Sequence, residues 1–330
     1  MTKVLLTRDY PAIAKELLTK AGFEITAWPG QRPMNPDELI AYSKKADAIL
    51  CTITDKISAE FLADCSHLKV IAQFGVGYDN INVPEATKHG IAVGNTPGVL
   101  TEATADTAFA LLLSVARKTL FNHKQILEGK WKTFEPNAHL GIELRNKTLG
   151  ILGLGRIGVA MARRCKGAYG MNIIYHNRKP NSDAEKELGA RMVSFDDLLR
   201  ESDIISAHCA LTPETRGIFN KDAFSKMKRS AIFINTARGP VHNEEDLHHA
   251  LVAKQIWGAG LDVTNPEPMN ADNPLLSMEN VAVLPHIGSA TVEARTAMAR
   301  LAAENIIGYF KDGIVPNLVN PDYRSERPRT

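Results

Sequence analysis

Thr148-Leu149-Gly150-Ile151-Leu152-Gly153-Leu154-Gly155-Arg156-Ile157-Gly158 decides the fold. The run Thr148–Gly153 is apolar and strand-like, and its last residue opens the pattern G-x-G-x-x-G. Behind the third glycine comes a helical segment, VAMARRCKGAYG, and then a second strand-like run, Asn172–His176. Strand, glycine turn, helix and strand in that order form a βαβ unit built to hold an anion. Gly153 permits the tight turn, Gly155 lets backbone amides approach the ligand, and Gly158 lets helix and strand pack closely. The helix N-terminus adds partial positive charge. Such a unit predicts a dinucleotide site made by Gly153, Gly155, Arg156, Ile157 and Gly158.

On either side of this unit the alternation continues. Strand-like runs at Val4–Thr7, Glu24–Trp28, Ala48–Cys51, Val70–Phe74 and Ile91–Gly94 precede it, with helical segments such as Ala12–Ala21 and Pro36–Lys44 between. Ile204–His208, Ala231–Asn235, Gly258–Asp262 and Val281–Leu284 follow it. Strands separated by helices predict parallel sheets with crossovers, so the fold class is α/β with two doubly wound, Rossmann-like domains. Thr104–Leu120 is predicted as one helix, apolar on nearly every face, of the kind buried inside a protein or at a subunit interface. The long helix predicted over Val292–Phe310 can return to the first series. The expected division is a flavodoxin-like substrate domain from both chain ends, 1–99 and 288–330, and a dinucleotide-binding domain over 100–287.

A length of 330 residues exceeds what one core usually holds, which agrees with two domains. The net charge of +2, from 39 basic and 37 acidic residues without long runs of one sign, gives no reason to expect nucleic acid or an anionic membrane as partner. Four scattered cysteines, Cys51, Cys65, Cys165 and Cys209, offer neither a disulfide framework nor a zinc site. With no signal-like N-terminus and no apolar stretch long enough to span a bilayer, the expected location is the cytoplasm.

The second strand of the βαβ unit bears on which dinucleotide binds. An acidic residue there usually accepts from the adenine ribose hydroxyls. Here the strand runs into Asn177, Arg178 and Lys179, and the first acid is Asp183. Arg178 can fork onto a 2′-phosphate, Asn177 can donate to it and Lys179 adds charge. The expected cofactor is therefore NADP, as NADPH, with NAD the weaker alternative.

The segments GVGYDNI (75–81), TEATADTA (101–108), GLGRIG (153–158), NTARG (235–239), GLDVTNPEP (260–268) and PHIGSAT (285–291) together resemble the D-isomer-specific 2-hydroxyacid dehydrogenase family. The resemblance runs along essentially the whole chain, and is strongest to the glyoxylate/hydroxypyruvate reductases, including the branch that reduces 2-ketogluconate. It implies three catalytic residues. Arg238 is matched to the arginine that binds the substrate carboxylate, a task suited to a planar fork. His286 is matched to the proton donor, and Glu267 to the carboxylate that stabilises its imidazolium. All three follow predicted strands, at the sheet edge where such folds bind ligands.

The resemblance also implies that the backbone amides of Val76 and Gly77 take the substrate carboxylate. Around the cofactor it places Thr104, Leu211, Thr212, Pro213, Thr236, Ala237, Asp262 and Gly288, with Asp262 accepting from the nicotinamide carboxamide. No metal is expected; His208, His242, His248 and His249 lack acidic or cysteine partners at ligand spacing. Val76 stands where phosphonate-oxidising relatives carry lysine, and Glu267 where formate-oxidising relatives carry glutamine. Trp131–His139 matches a segment that can reach a partner subunit's active site, and Ala138 leaves room there for a longer sugar acid. The expected partners are a 2-keto or 2-hydroxy acid and a second copy of the chain in a homodimer. A nucleotide-sensing co-regulator and a phosphoglycerate dehydrogenase are the competing readings. The complete arginine, glutamate and histidine set disfavours the first, and the short C-terminal remainder and basic 177–179 segment disfavour the second.

Overall fold

The structure is a computed structural model that describes residues 1–324. The end of the expected segment 288–330, residues 325–330, lies outside the described residues. The chain divides into two compact units, one made of Met1–Leu100 with Ala290–Thr330 and the other of Thr101–Ser289.

The first unit runs β1 (Lys3–Leu6), α1 (Ile13–Lys20), β2 (Glu24–Ala27), α2 (Pro36–Ser43), β3 (Ala48–Cys51), α3 (Ala59–Asp64), β4 (Val70–Gln73), α4 (Val83–Lys88) and β5 (Ala92–Gly94). Its five strands pair in parallel in the order β2-β1-β3-β4-β5, the flavodoxin-like winding. Strands β3 and β4 are buried along their whole length, as strands covered on both faces must be, whereas the edge strand β2 is largely exposed.

The second unit contains α5 (Thr101–Ala116), α6 (Thr119–Leu127), β6 (Thr148–Leu152), α7 (Arg156–Tyr169), β7 (Asn172–His176), α8 (Ser182–Leu188), β8 (Arg191–Met192) and α9 (Phe195–Glu201). It continues through β9 (Ile204–Ala207), α10 (Lys221–Lys226), β10 (Ile232–Asn235), α11 (Glu244–Val252), β11 (Gly258–Leu261) and β12 (Val281–Val283). The seven strands are parallel in the order β12-β11-β10-β9-β6-β7-β8. The winding reverses between β6 and β9, and the crevice at such a reversal is where dinucleotides bind. The short strand β8 is too brief to leave a pattern in the sequence.

The single apolar helix expected over Thr104–Leu120 is instead two helices. It starts earlier, at Thr101, and breaks at Lys118, whose φ of 51° is left-handed. Nor is it apolar all round. Ala105, Ala108, Leu111, Leu112, Val115 and Ala116 are buried, while Glu102, Asp106 and Ala110 face outward. The buried side of α5 packs on α7, β10, β11 and β12 of its own unit, so its apolar face is already covered.

The chain closes with α12 (Val292–Asp312), which packs on α1 and on β3 and β4 of the first unit. Two buried asparagines join this return to the edge strand. Asn305 donates to the Asn95 carbonyl and accepts from the Asn317 N–H. Asn320 accepts from the Val93 N–H and donates to the Ile91 carbonyl. Each satisfies backbone groups that would otherwise be buried without partners, at about 1–3 kcal/mol apiece.

Candidate active site

The glycine turn sits at the winding reversal of the second unit. Gly153 has φ +94°, and a Cβ there would lie 2.7 Å from the Cys209 nitrogen, so the loops after β6 and β9 can meet only at a glycine. Gly155 is the N-cap of α7, carries no capping side chain, and has open space where a Cβ would stand. An uncapped helix N-terminus beneath open space fits a pyrophosphate. Arg156 is exposed, Ile157 half-buried and Gly158 buried against the turn.

The Asn177 carboxamide is used within this loop: its Oδ1 accepts from the Leu154 N–H at 2.7 Å. Asn181 holds the other side of Leu154, donating to its carbonyl at 2.8 Å. Arg178 and Lys179 are exposed beyond β7. The charge of Arg178 reaches the loop after β9, where it contributes to holding the Glu214 carboxyl below its usual range, after the larger effect of the Thr212 hydrogen bond. Leu211 is half-buried and Pro213 exposed in that loop.

Arg238 emerges from the turn after β10. Asn235, fully buried, shapes this turn by accepting from the Ala237 N–H and donating to the Arg238 carbonyl, both at 2.9 Å. The next residue, Gly239, lies so close to the Thr264 carbonyl that an added Cβ would overlap it. The Arg238 turn therefore abuts the 264–267 loop that carries Glu267.

Glu267 and His286 form the tightest pair of the site, with Glu267 Oε1 2.5 Å from His286 Nδ1. Burial opposes ionisation of Glu267. The His286 hydrogen bond and charge, the Thr264 N–H and the Arg238 charge outweigh it and hold the carboxyl below the usual range. Guanidinium, carboxylate and imidazole are thus electrostatically joined at the C-terminal ends of β10, β11 and β12. Such a set can bind a carboxylate and exchange a proton with an adjacent oxygen.

The loop bearing His286 is fixed from beneath. His286 has φ +54°, a left-handed conformation that costs a non-glycine residue about 1–2 kcal/mol. Its N–H donates to the Asp262 carbonyl at 2.9 Å, while Asp262 Oδ1 and Oδ2 accept from Ile287 and Gly288 N–H at 2.7 Å each. Two hydrogen bonds to a charged acceptor, at about 1.5–3 kcal/mol each, outweigh the backbone cost. Both oxygens of Asp262 thus serve the histidine loop, one bond to each, and each keeps a further lone pair. Burial raises its pKa despite those two N–H groups.

Thr104 is buried beside Gly288. Thr236 lies 3.4 Å from His208, whose other ring nitrogen meets Ser206 at 2.8 Å. Burial lowers His208 to a pKa of about 4. Ala237 is buried in the Asn235 turn. Val76 and Gly77 belong to the first unit, in the turn after β4, where Asn95 donates to the Val76 carbonyl at 2.8 Å and Gln73 to the Gly77 carbonyl at 3.2 Å. Among the described residues, no group of three or more histidine, cysteine or acidic side chains could hold a metal. Asn235 and the loop contacts of Asp262 were missed by sequence reasoning. Asn235 stands inside the quoted NTARG segment, and that was its only signal.

A winding reversal with an uncapped helix N-terminus after β6, and an imidazole–carboxylate pair past β11 and β12 at the same edge of the sheet, fit a dinucleotide-dependent oxidoreductase. Residues 109–288 match the D-isomer specific 2-hydroxyacid dehydrogenase, NAD binding domain. The chain is 45% identical over 327 residues to a glyoxylate reductase of Korarchaeum cryptofilum, covering 99% of this chain and 98% of that one. It is 46% identical to a glyoxylate reductase of Thermococcus litoralis, over 99% of both. Among solved structures, the NADPH-dependent glyoxylate/hydroxypyruvate reductase of Sinorhizobium meliloti in complex with NADP and malonate has a TM-score of 0.84 at 31% identity, over 100% of this chain and 99% of that one. The chain belongs to the D-isomer specific 2-hydroxyacid dehydrogenase family. It is an oxidoreductase with two parallel-sheet α/β units, and among the described residues no helix is long and apolar enough to cross a membrane.

Proposed function

We propose that this protein reduces small 2-keto acids, glyoxylate and hydroxypyruvate foremost, to 2-hydroxy acids, prefers NADPH, and uses His286 as proton donor. The observation that carries this reading is the 2.5 Å pairing of His286 with a Glu267 carboxylate that also feels the Arg238 charge. In this reading Arg238 binds the substrate carboxylate through its planar fork and polarises the adjacent carbonyl. A nicotinamide dinucleotide held at the Gly153–Gly158 turn would supply the hydride. His286 gives the proton to the carbonyl oxygen, and Glu267 orients the ring and stabilises its charged form before transfer. The turn at Val76–Gly77 is assigned to substrate binding through its backbone.

The names of the relatives support glyoxylate as substrate, and the Sinorhizobium meliloti enzyme is described as acting on hydroxypyruvate as well. 2-Ketogluconate is the third candidate, because Ala138 offers only a methyl group in the 131–139 segment. For NADPH, the support is a β7 terminus with Arg178 and Lys179 exposed and no acid until Asp183. We assign Met1–Leu100 with the C-terminal return to substrate binding and Thr101–Ser289 to the dinucleotide. Four unpaired thiols suit a reducing cytoplasm. We assign the homodimer contact to α6 and the segment after it, since Leu127, Trp131 and Phe134 are 74%, 66% and 83% exposed. A panel of 2-keto acids assayed with NADPH and NADH tests the proposal. Turnover of glyoxylate or hydroxypyruvate supports it, and no turnover of any 2-keto acid overturns it.

A further inference from the structure

The hydrogen bonds around Asn235 extend one residue further than the site needs. Its Oδ1 faces the Ala237 N–H and its Nδ2 faces the Arg238 carbonyl, so the orientation of the carboxamide is fixed by two backbone groups. The second Nδ2 hydrogen points at His242 Nδ1, 3.0 Å away. Because Nδ2 can only donate, Nδ1 must accept, and the ring proton must sit on Nε2. That nitrogen is buried without a hydrogen-bond partner. An unpaired buried N–H costs about 1–3 kcal/mol, which an apolar side chain of similar size would avoid. His242 therefore stands at a position where packing alone gives no reason for an imidazole.

We propose that His242 is a positioning residue for Arg238, acting through Asn235 as a neutral hydrogen-bond acceptor. The inference rests on the reading of Arg238 as the group that binds the substrate carboxylate. The chain of contacts is short: His242 Nδ1 accepts from the Asn235 amide, Asn235 Nδ2 donates to the Arg238 carbonyl, and the Val241 N–H donates to the same carbonyl at 3.1 Å. The Arg238 carbonyl is thereby held by two donors. With the acceptor removed, one Asn235 hydrogen is left unpaired in the core, and the amide can relax by rotating away from the turn.

The surroundings keep the imidazole neutral. Phe233 on β10 lies edge-on at 5.7 Å, and the backbone of Phe219 pairs with the His242 segment. Neither is charged, and the acidic first turn of α11, Glu244, Glu245 and Asp246, lies beyond Asn243. Burial alone lowers the His242 pKa to about 4, with no charged group contributing. Protonation of Nδ1 would set two donors face to face.

Three variants and one spectrum test this. His242→Leu keeps apolar bulk and removes the acceptor; His242→Asn can return an oxygen near the Nδ1 position. Keto-acid and coenzyme KM are measured for both, beside Arg238→Gln. The expected result is a keto-acid KM raised about tenfold in H242L, the size of one lost hydrogen bond, with coenzyme KM unchanged and recovery to within about twofold in H242N. Equal losses in H242L and H242N would reduce His242 to packing and overturn the proposal. So would an unchanged KM in H242L where R238Q raises it. An unchanged KM in R238Q is a separate result, which removes the reading of Arg238 and the proposal with it. In the unaltered protein, nitrogen NMR of 15N-labelled histidine should find the Nε2–H tautomer with an accepting Nδ1; a proton on Nδ1 at neutral pH would overturn the proposal whatever the variants do.

Discussion

The Asp262 carboxylate accepts the Gly288 N–H at 2.7 Å, tying the end of β11 to the loop that carries His286. Its other oxygen accepts the Ile287 N–H at 2.7 Å. Asp262→Asn would turn one oxygen into a donor facing a backbone N–H. We expect kcat to fall about tenfold or more, as one charge-assisted bond is lost and one repulsion gained. A variant with kcat within twofold would show that the loop does not depend on this carboxylate.

The pairing of Glu267 with His286 fixes the sign of the pH dependence. Glu267 ionises below the usual carboxylate range, so it is charged throughout the neutral region and favours the imidazolium. Reduction consumes that proton, so its kcat/KM should fall as pH rises, and oxidation should show the opposite limb. Glu267→Gln should move the reductive limb to lower pH. Identical profiles in the two proteins would break the assigned pair.

His242 makes an acid-stability prediction separable from activity. Its folded pKa of about 4 lies below the ordinary 6.5, so its contribution is fully present above pH 6.5 and is lost as pH falls toward 4. The loss over that window is about 3 kcal/mol. Denaturant titrations at pH 7 and pH 4.5 should show a smaller drop in H242N, which has no proton to gain there. Parallel drops in both proteins would contradict a neutral buried imidazole.

Much of this was legible in the sequence, for physical reasons. Near-continuous apolar runs and glycine stops located the long strands, because parallel strands buried on both faces have little freedom in composition. Arg238, Glu267 and His286 stood out as polar residues just past such runs. Asn235, His242 and the loop role of Asp262 were not legible: Asn235 and Asp262 serve backbone groups two to twenty-six residues away, His242 serves the Asn235 side chain, and no residue pattern encodes those separations. Lys118 likewise gave no warning of a break: its residue type does not mark the left-handed φ that ends α5, two residues past Ala116, whose carbonyl accepts from the Ile142 N–H.

Coenzyme choice should respond to Arg178. We expect kcat/KM to be higher with NADPH than with NADH, and Arg178→Ala to lower the NADPH value about 10- to 100-fold while changing the NADH value less than about threefold. Equal use of both coenzymes by the unaltered protein would refute the assignment.

The exposed apolar residues after α5 predict the assembly. Sedimentation should give a dimer, and Trp131→Glu with Phe134→Glu should shift it toward monomer without loss of secondary structure. A monomeric unaltered protein at micromolar concentration would rule the contact out.

The most direct test of the central claim is kcat for glyoxylate reduction in His286→Gln, measured beside coenzyme affinity. Loss of the proton donor should lower kcat about 10²- to 10⁴-fold while coenzyme binding stays unchanged. A variant that turns over glyoxylate within about twofold of the unaltered protein would contradict it.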